Sequence, residues 1–248
     1  MSFGVDAVRY DALRPAYPTA LVDRLTANRP RSVLDIACGT GIASRPFAER
    51  GSEVLGVEAD ERMAAVARAN GIPVETAYFE DWEPRGRRFD LVICGQAWWW
   101  LDLSVVLPKI AGVLASGRRL AVFWNVGGRE DDLTGALRAI YDEISDEADQ
   151  VGVEAVSEPM LPSAFQPDPV RDLESCDLFR CVEAAEYEWE RRYTRDEWVA
   201  AAATFGDVIA LPAEMRDRLL AAVGATIDAH GGIRLVHVVT SLVTALCA

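Results

Sequence analysis

The segment that most constrains the fold is 33–41, an apolar run that ends in a glycine-containing turn. Ser32–Ile36 is short and apolar, as expected of a buried strand, and residues 41–50 are predicted to form the helix that follows it. Gly39 can adopt a positive φ, and because it has no side chain a ligand can lie against the backbone. The N-terminus of the following helix offers N–H groups that have no partner within the helix. The segment therefore predicts a strand, a turn and a helix that together can hold a ligand.

The rest of the chain is predicted from the period of its apolar residues. The first half alternates short apolar runs with amphipathic stretches, which is typical of a parallel sheet with helices between its strands. Further strands are predicted at 53–57, 74–77, 89–94, 119–124, 181–193 and 233–245. Helices are predicted at 61–70, 104–114, 133–148, 195–203 and 212–229, and the proline-rich stretch 157–170 is expected to be irregular. The last two strands lack a short crossover, which predicts an antiparallel pair at one edge of the sheet.

The glycine turn does not match the two commonest nucleotide-binding motifs. A dinucleotide fingerprint would carry a third glycine, but Ser44 occupies that position, and a P-loop would carry Gly-Lys-Ser/Thr. The next predicted strand is followed by Glu58, 17 residues after Gly41. An acid at that place can accept hydrogen bonds from both hydroxyls of a ribose. The alternative is a surface acid that caps the next helix.

Composition limits the class of partner. The 248 residues include 25 basic and 39 acidic side chains, a formal net charge of −14. Nucleic-acid binders usually carry a basic surface, and the densest basic stretch here, 85–88, is short, so nucleic acid is disfavoured as a partner. No apolar run approaches the roughly 20 residues of a membrane span. The N-terminus lacks the pattern of a signal peptide, so we expect a cytoplasmic protein that does not bind membranes.

The potential metal ligands do not form a recognisable site. The five cysteines are an odd number without C-x-x-C spacing, and the two histidines, His230 and His237, are not part of an H-E-x-x-H motif. Residues 130–132 read Glu-Asp-Asp, which could bind a hard cation but is more typical of a solvated loop. We therefore expect no resident metal and no disulfide framework.

Several motifs taken together resemble one enzyme family. Residues 33–41, Val-Leu-Asp-Ile-Ala-Cys-Gly-Thr-Gly, closely resemble the motif of class I S-adenosylmethionine-dependent methyltransferases. Residues 56–63 look like the ribose-binding segment of that family, and 79–82 with 89–92 look like its third and fourth strand loops. The stretch 10–18 is similar to an N-terminal segment of many small-molecule members. The resemblance is strong over 3–125, softer beyond, and greatest to bacterial, often actinobacterial, enzymes of unassigned substrate.

The resemblance implies a fold and an organisation. The expected fold is a doubly wound α/β, mostly parallel seven-stranded sheet of the Rossmann-like methyltransferase type, with an antiparallel edge pair. Residues 1–248 are expected to form a single domain, with the cofactor-binding core at 30–125. Residues 1–28 and 127–170 are expected to serve as lid or substrate elements.

The resemblance also implies which residues bind the cofactor, S-adenosyl-L-methionine. They lie in the N-terminal segment and after the predicted strands, and they are Tyr10, Arg14, Tyr17, Ala37, Cys38, Gly39, Glu58, Ala59, Met63, Phe79, Glu80, Gly95 and Gln96. The backbone of 37–39 is implied to line the methionine part, and Glu58 to hold the ribose. Arg14 is implied to pair with the cofactor carboxylate in a two-point geometry. Tyr10 or Tyr17 would close over it, the alternative being that both tyrosines pack a helix.

The remaining implied roles concern the two ends of the cofactor. Met63 is implied to pack under the adenine, and Phe79 and Glu80 to border its edge. Gly95 and Gln96 follow the fourth strand and are implied to contact the amino-acid end. These positions lie at the carboxyl ends of successive strands, where parallel α/β sheets bind their ligands.

The chain departs from the family pattern at two places. Residues 96–100 read Gln-Ala-Trp-Trp-Trp, and relatives commonly carry histidine where Trp99 stands, so a candidate base is lost. We expect Trp98 and Trp99 to form an aromatic wall for the sulfonium or for an aromatic acceptor, and Trp100 to lie in the core. Residues 115–119 read Ala-Ser-Gly-Arg-Arg, where Pro-Gly-Gly is usual, at a turn away from the chemistry.

The catalytic residues are less constrained by the sequence than the cofactor site. An activated methyl donor needs mainly an aligned acceptor, and a base only if the nucleophile arrives protonated. The candidates are His237, Tyr17 and Trp99, although His237 can also be a core histidine, and His230 is expected to be a cation at a helix C-terminus. The expected reaction is methyl transfer to an O, N or C atom of a small molecule by a monomer or homodimer. The alternatives are other sulfonium chemistry, such as intramolecular cyclisation, and a non-catalytic cofactor-binding protein.

Overall fold

The computed structural model describes residues 3–150, 152–153, 156–157 and 168–248. These residues contain seven strands, which in chain order are β1 (Ser32–Ile36), β2 (Glu53–Glu58), β3 (Val74–Thr76), β4 (Phe89–Gly95), β5 (Leu114–Gly127), β6 (Phe179–Thr194) and β7 (Ile233–Cys247). They form one sheet in the order β3-β2-β1-β4-β5-β7-β6. The first five strands pair in parallel. The sheet is mostly parallel with antiparallel edge strands, which confirms the predicted fold class.

The described residues also form ten α-helices. These are α1 (Ala7–Leu13), α2 (Thr19–Thr26), α3 (Arg45–Glu49), α4 (Glu61–Ala69), α5 (Leu103–Val113), α6 (Asp132–Gln150), α7 (Pro169–Glu174), α8 (Arg195–Ala202), α9 (Gly206–Ala210) and α10 (Ala213–Ala229). Short 3-10 turns cover Phe3–Asp6 and Trp98–Trp100. No helix of the described residues is both long and apolar enough to cross a membrane.

Three predicted elements differ clearly from those observed. The strand predicted at 119–124 is longer, since β5 covers Leu114–Gly127. The helix predicted at 41–50 begins only at Arg45, because Gly41 has a φ of +82° and the turn continues past it. The stretch expected to be irregular, 157–170, overlaps α7 at its last two residues. This helix has Pro169 in its first turn, where proline is tolerated, and is capped by the Asp168 side chain. The prolines Pro159, Pro162 and Pro167 lie outside the described residues.

The chain divides into two compact units. The first unit comprises Met1–Pro15, Val126–Ala164 and Glu188–Val239, and the second comprises Ala16–Asn125, Phe165–Tyr187 and Thr240–Ala248. We call them the helical unit and the sheet unit. The prediction of a single domain over 1–248 stays a prediction.

The sheet unit is built around the buried strands β1 and β4. Apolar side chains of these strands pack against α2, which buries Leu21, Val22 and Leu25, and against Phe47 of α3. At least this part of the N-terminal segment is core, although 1–28 was expected to serve as a lid or substrate element. Burial of several such side chains, each worth about 1.5–3 kcal/mol, fixes α2 on the sheet.

The helical unit has a core of its own. Its buried apolar residues come mainly from α6, α8 and α10, and include Leu137, Tyr141, Trp198 and Val223. The rings of Tyr193 and Trp198 meet edge to face with centroids 5.1 Å apart. The alternation of apolar and charged residues in α6 is thereby explained, since its apolar face lies in this core.

Candidate functional site

The turn after β1 has a strained, tightly bonded backbone. Ala37 and Gly39 have φ angles of +52° and +57°, in the left-handed region that side chains disfavour. The N–H of Cys38 donates to the carbonyl of Val57 at 3.1 Å, and the N–H of Gly41 donates to the carbonyl of Cys38 at 2.9 Å. Strain of this kind persists where the surroundings hold it, often at ligand sites. The turn predicted at 37–39 is therefore a fixed feature of the carboxyl edge of the sheet.

Glu58 joins the end of β2 to this turn. Its Oε2 accepts the N–H of Gly39 at 2.9 Å and its Oε1 accepts the N–H of Asp60 at 2.8 Å. Burial raises the pKa of the Glu58 carboxyl, while these backbone N–H bonds act in the opposite direction. Each oxygen keeps further lone-pair capacity for hydroxyl donors. The structure thus brings together Gly39 and Glu58, the residues that the sequence predicted would share a site.

The segment after β3 is held beside α5. Phe79 is buried and its ring stacks on Trp82, with centroids 5.6 Å apart. The Lys109 ammonium donates to the carbonyls of Phe79 and Trp82 at 3.0 and 2.9 Å, and also to that of Glu80. The Glu80 carboxylate accepts the N–H of Asp102 at 3.0 Å. Lys109, which the sequence analysis did not single out, therefore fixes the predicted adenine-bordering residues.

Met63 and Ala59 lie at the start of the helix after β2. Met63 is buried on α4, and its terminal methyl group lies 3.5 Å from where a Cβ on Gly39 would stand. Ala59 is exposed at the end of β2. Both predicted residues are thus close in the chain to Glu58, and Met63 also lies under the glycine turn.

The end of β4 is crowded by an aromatic ring from the N-terminal segment. A Cβ on Gly95 would lie 2.9 Å from the Tyr17 hydroxyl and 3.1 Å from Phe123, so only glycine fits without a shift. The Tyr17 ring meets Phe123 edge to face at 4.6 Å. The Gln96 amide donates to the carbonyl of Asn125 at 3.2 Å and accepts its N–H at 2.7 Å. Gln96 is therefore anchored to β5 through both ends of its side-chain amide.

Arg14 and Tyr10 lie in the helical unit. The Arg14 guanidinium stacks 3.6 Å from the Phe205 ring centroid and 4.8 Å from that of Tyr10, and donates to the carbonyl of Thr204 at 3.1 Å. Burial lowers the pKa of this guanidinium. The structure places Tyr17 in the sheet unit, so the three N-terminal residues predicted to act together divide between the two units.

The three tryptophans do not follow the expected assignment. Trp100 was expected in the core but is 58 % exposed, so that prediction is wrong. Trp98 was expected to line the pocket but is buried, and its indole N–H donates to Asp172 of α7 at 2.9 Å. Trp99 is half-buried, with its ring 6.5 Å from that of Trp100. In the 3-10 turn at Trp98–Trp100, Trp98 is buried and Trp100 is exposed, which is the reverse of the expectation. A run of three identical residues has no apolar period from which their burial could be predicted.

The histidines lie in the helical unit. His237 of β7 has its Nδ1 3.0 Å from a carboxylate oxygen of Glu190 on β6, and its side chain is partly exposed. His230 caps the C-terminus of α10, with its Nδ1 2.7 Å from the carbonyl of Thr226, as expected of a structural residue. Asp131 accepts from Thr134 at the start of α6 and pairs with Arg234 at 3.2 Å, so one acid of 130–132 has a structural role.

A buried carboxyl under the turn was missed by the sequence analysis. Asp35 of β1 is fully buried, and the Ser44 hydroxyl donates to its Oδ2 at 2.5 Å. Burial raises the pKa of Asp35 to about 7. Its Oδ1 and the Thr40 hydroxyl have no hydrogen-bond partner among the described residues. The signal was an aspartate inside an otherwise apolar strand, a position that a buried sheet rarely gives to an acid.

Comparison with known proteins gives a consistent result. A family profile described as a methyltransferase domain matches residues 33–117. An uncharacterized methyltransferase of Mycobacterium tuberculosis is 29% identical over 234 residues, which cover 93% of this chain and 87% of that protein. A trans-aconitate 2-methyltransferase of the same species is 33% identical over 112 residues, 44% of this chain and 42% of that one.

The fold comparison covers nearly the whole chain. A solved structure from Anaeromyxobacter dehalogenans, which carries a provisional type II methyltransferase name, aligns with a TM-score of 0.65. The alignment covers 94% of this chain and 97% of that one, at 24% identity. The likeness therefore extends beyond the matched segment 33–117 to the C-terminal strands.

Proposed function

We propose that this chain, a class I S-adenosylmethionine-dependent methyltransferase, methylates a small-molecule acceptor. The observation that supports this most directly is the joined glycine turn and acid, in which the Glu58 carboxylate accepts the N–H of Gly39 at 2.9 Å. The cofactor is S-adenosyl-L-methionine, which supplies a methyl group already activated on a sulfonium.

The residues of the sheet unit fit that cofactor by their donors and acceptors. We assign the ribose hydroxyls to the half-buried Glu58 carboxylate, which has lone pairs left after its two backbone bonds. The backbone of 37–39 is assigned to the methionine part, because Gly39 has no side chain to obstruct it. Met63 and Phe79, both buried near these elements, are assigned to the adenine. Ala59 and Glu80 are assigned to the adenine end of the cofactor as well.

The amino-acid end is assigned to Gly95 and the segment that follows it. The Tyr17 hydroxyl stands where a Gly95 side chain would lie, so Tyr17 is the residue of the N-terminal segment that borders this strand end. The Gln96 side chain is held by Asn125, so its contribution comes through the backbone, whose φ of +60° turns the chain there. The pairing of Arg14 with the cofactor carboxylate, and the closing of Tyr10 over it, stay predictions.

The charge of the chain disfavours nucleic acid as the acceptor, and a small molecule is the class that we propose. The net charge of −14 opposes binding of nucleic acid, and the name of one relative specifies a small acid, trans-aconitate. We therefore propose trans-aconitate as the first acceptor to assay. A cytoplasmic setting and a monomeric or homodimeric state stay predictions.

We propose that the protein accelerates methyl transfer mainly by aligning the acceptor, and not by supplying a strong base. Holding an acceptor in line with the sulfonium methyl converts a bimolecular step into an effectively unimolecular one. Tyr17 and Trp99 are proposed to border the acceptor, since both belong to the sheet unit with the glycine turn. His237 stays a candidate base, with Glu190 positioned 3.0 Å away to orient it.

Calorimetry tests the ribose assignment. We expect Glu58→Ala to weaken binding of S-adenosylmethionine and of its demethylated product at least tenfold, because two hydroxyl bonds to a carboxylate are lost. Glu53→Ala is the matched control, since Glu53 is an exposed acid at the start of the same strand. Equal affinity of Glu58→Ala and wild type would show that Glu58 does not hold the ribose.

Incubation with methyl-labelled cofactor tests the reaction. We expect label in an added acceptor, with release of S-adenosylhomocysteine. Methylthioadenosine formed without acceptor would instead indicate cyclisation, which remains the second candidate because Trp99 replaces the histidine common in relatives. Tight binding without either product would indicate a non-catalytic protein.

A further inference from the structure

A small cavity opens in the sheet unit at the amino ends of the parallel strands. Its volume is about 90 Å³, and it is lined by α2 and the loop after it, the start of β4, residues 117–119 of β5 and Leu246 near the end of β7. One water needs about 10–15 Å³ of such a cavity, so there is room for a group of the size of a small oxyanion. The glycine turn lies at the other end of β1, and a strand of that length spans roughly 17 Å.

A bulge of β5 brings two arginines to this cavity. Phe89 of β4 pairs with Leu114, but Leu91 pairs with Arg119, so residues 115–118 of β5 stand opposite the single residue Asp90. Gly117 within the bulge has a φ of +70°, which glycine adopts without strain. The bulge and the residue after it read Ala-Ser-Gly-Arg-Arg, so Arg118 and Arg119 follow this glycine directly.

The lining has more positive than negative charge. Arg24, Arg118 and Arg119 face one acid, Asp90. The Asp90 carboxylate is already occupied, since it pairs with Arg118 at 3.1 Å and accepts the N–H of Arg31 at 2.8 Å. Arg24 pairs with Glu183 at 3.0 Å, and both side chains are substantially exposed, so the attraction is screened by solvent.

Two side chains of the lining carry donors that have no acceptor among the described residues. The guanidinium of Arg119 and the side-chain amide of Asn28 make no hydrogen bond or ion pair with any residue that the structure describes. A guanidinium presents a planar fork of donors that matches an oxyanion in two-point geometry. Three guanidinium groups thus meet two carboxylates, Asp90 of the lining and Glu183 beside it, so the cavity carries excess positive charge in a chain whose net charge is −14.

We propose that this cavity is a binding site for a phosphate-type dianion, separate from the methyl-transfer site. Arg119 supplies the fork of donors, Arg24 and Arg118 supply positive charge, and the Asn28 amide supplies a further donor. The group bound is inorganic phosphate or the phosphate of a small phosphomonoester, which share this chemistry.

Calorimetry at constant ionic strength tests the site, with sodium phosphate and glycerol phosphate as the two probes in chloride buffer. We expect saturable binding to the wild-type chain and at least fivefold weaker binding to Arg119→Gln. Arg119→Lys keeps the charge but not the fork, so its affinity should fall between the two. Arg216→Gln on α10 is the matched control outside the cavity, and it should bind as the wild type does.

The outcomes separate the proposal from its alternatives. If glycerol phosphate binds more tightly than inorganic phosphate, the ligand is an organic phosphomonoester. If it binds equally or more weakly, the ligand is the free anion. Either result supports the site. Absence of saturable binding to the wild type, or equal losses in Arg119→Gln and Arg216→Gln, would overturn it. Because the cofactor site lies at the other edge of the sheet, all variants should bind S-adenosylhomocysteine as the wild type does. Weaker binding of S-adenosylhomocysteine by Arg119→Gln would disprove that the two sites are separate. It would not test the assignment of Glu58 to the ribose.

Discussion

At the scale of single residues, Asp35 shows how a binding turn is supported from below. Its carboxyl is fully buried beneath the turn and accepts only the Ser44 hydroxyl among the described residues. Because an ionised carboxylate is costly in such surroundings, burial raises its pKa to about 7. The group therefore holds a proton in the folded protein at pH values where an unfolded chain would release it.

The proton on Asp35 should make stability depend on pH. The unfolded carboxyl ionises near its usual pKa of about 4, whereas the folded group ionises near 7. Between these values the folded state binds more protons, so the free energy of unfolding should fall as pH rises, by at most about 1.4 kcal/mol per unit. Denaturant unfolding of wild type and Asp35→Asn from pH 4 to pH 8 measures this. The wild type should lose stability relative to Asp35→Asn over that interval, and parallel curves would contradict a raised pKa.

At the scale of elements, the site depends on how closely β2 approaches the turn after β1. Asp35 pairs with Gly56, and Ile36 with Val57, so the end of β2 runs beside the start of the turn. A Cβ on Gly56 would overlap the Cys38 sulfur and lie 3.2 Å from Val74. Glycine is therefore needed at position 56 because β2 and the turn after β1 approach each other closely there. Its φ, which is not in the left-handed region, does not require glycine.

Gly56→Ala should be destabilising by about 1–3 kcal/mol, because the added methyl group overpacks a buried contact. Thermal and denaturant unfolding measure the effect. Cys38→Ala in the same chain should recover part of it, since the overlapping sulfur is removed. Gly112→Ala is the matched control on α5, where a Cβ meets nothing within 4 Å, and it should stabilise by about 0.5–1 kcal/mol. Equal effects of the two glycine substitutions would disprove the close approach.

At the scale of the whole molecule, the excess of acidic residues is the dominant electrostatic property. The formal net charge is −14 at pH 7, and like charges repel one another more in the compact state than in the expanded chain. Most ion pairs of the described residues, such as Arg218 with Glu147 at 2.9 Å, have substantially exposed partners. Such pairs contribute at most about 1 kcal/mol each.

Moderate salt should therefore raise the unfolding temperature. The Debye length falls from about 30 Å at 0.01 M to about 8 Å at 0.15 M, which screens the long-range repulsion. Thermal unfolding at pH 7 in 10 and 150 mM sodium chloride measures the shift, and the same comparison near the isoelectric point of about 4.6 should show a smaller one. A lower unfolding temperature at the higher salt concentration would indicate that specific ion pairs outweigh the repulsion.

Much of the sheet could be predicted from local signals. The strands at 53–57 and 89–94 and the helix at 61–70 agree with β2, β4 and α4 within one residue at each end, because a buried strand and an amphipathic helix each carry their own period. The start of α3 was placed too early, since the conformation of 41–44 depends on bonds to neighbouring segments. Tertiary contacts also decide that Trp98 is buried and Trp100 is exposed. The local period of apolar residues does not predict this difference.

The sequence alone determined the turn at 37–39, the acid at Glu58 and the family to which they point, because glycine, an acid and strand periodicity act locally at a fixed spacing. Only the tertiary structure revealed the Glu58–Gly39 hydrogen bond at 2.9 Å and the proton-retaining environment of Asp35. It alone also placed Arg118 and Arg119 in a cavity at the opposite edge of the sheet. Burial, pKa and cavities arise from atoms far apart in the chain, so they are decided when the strands pair and the helices pack.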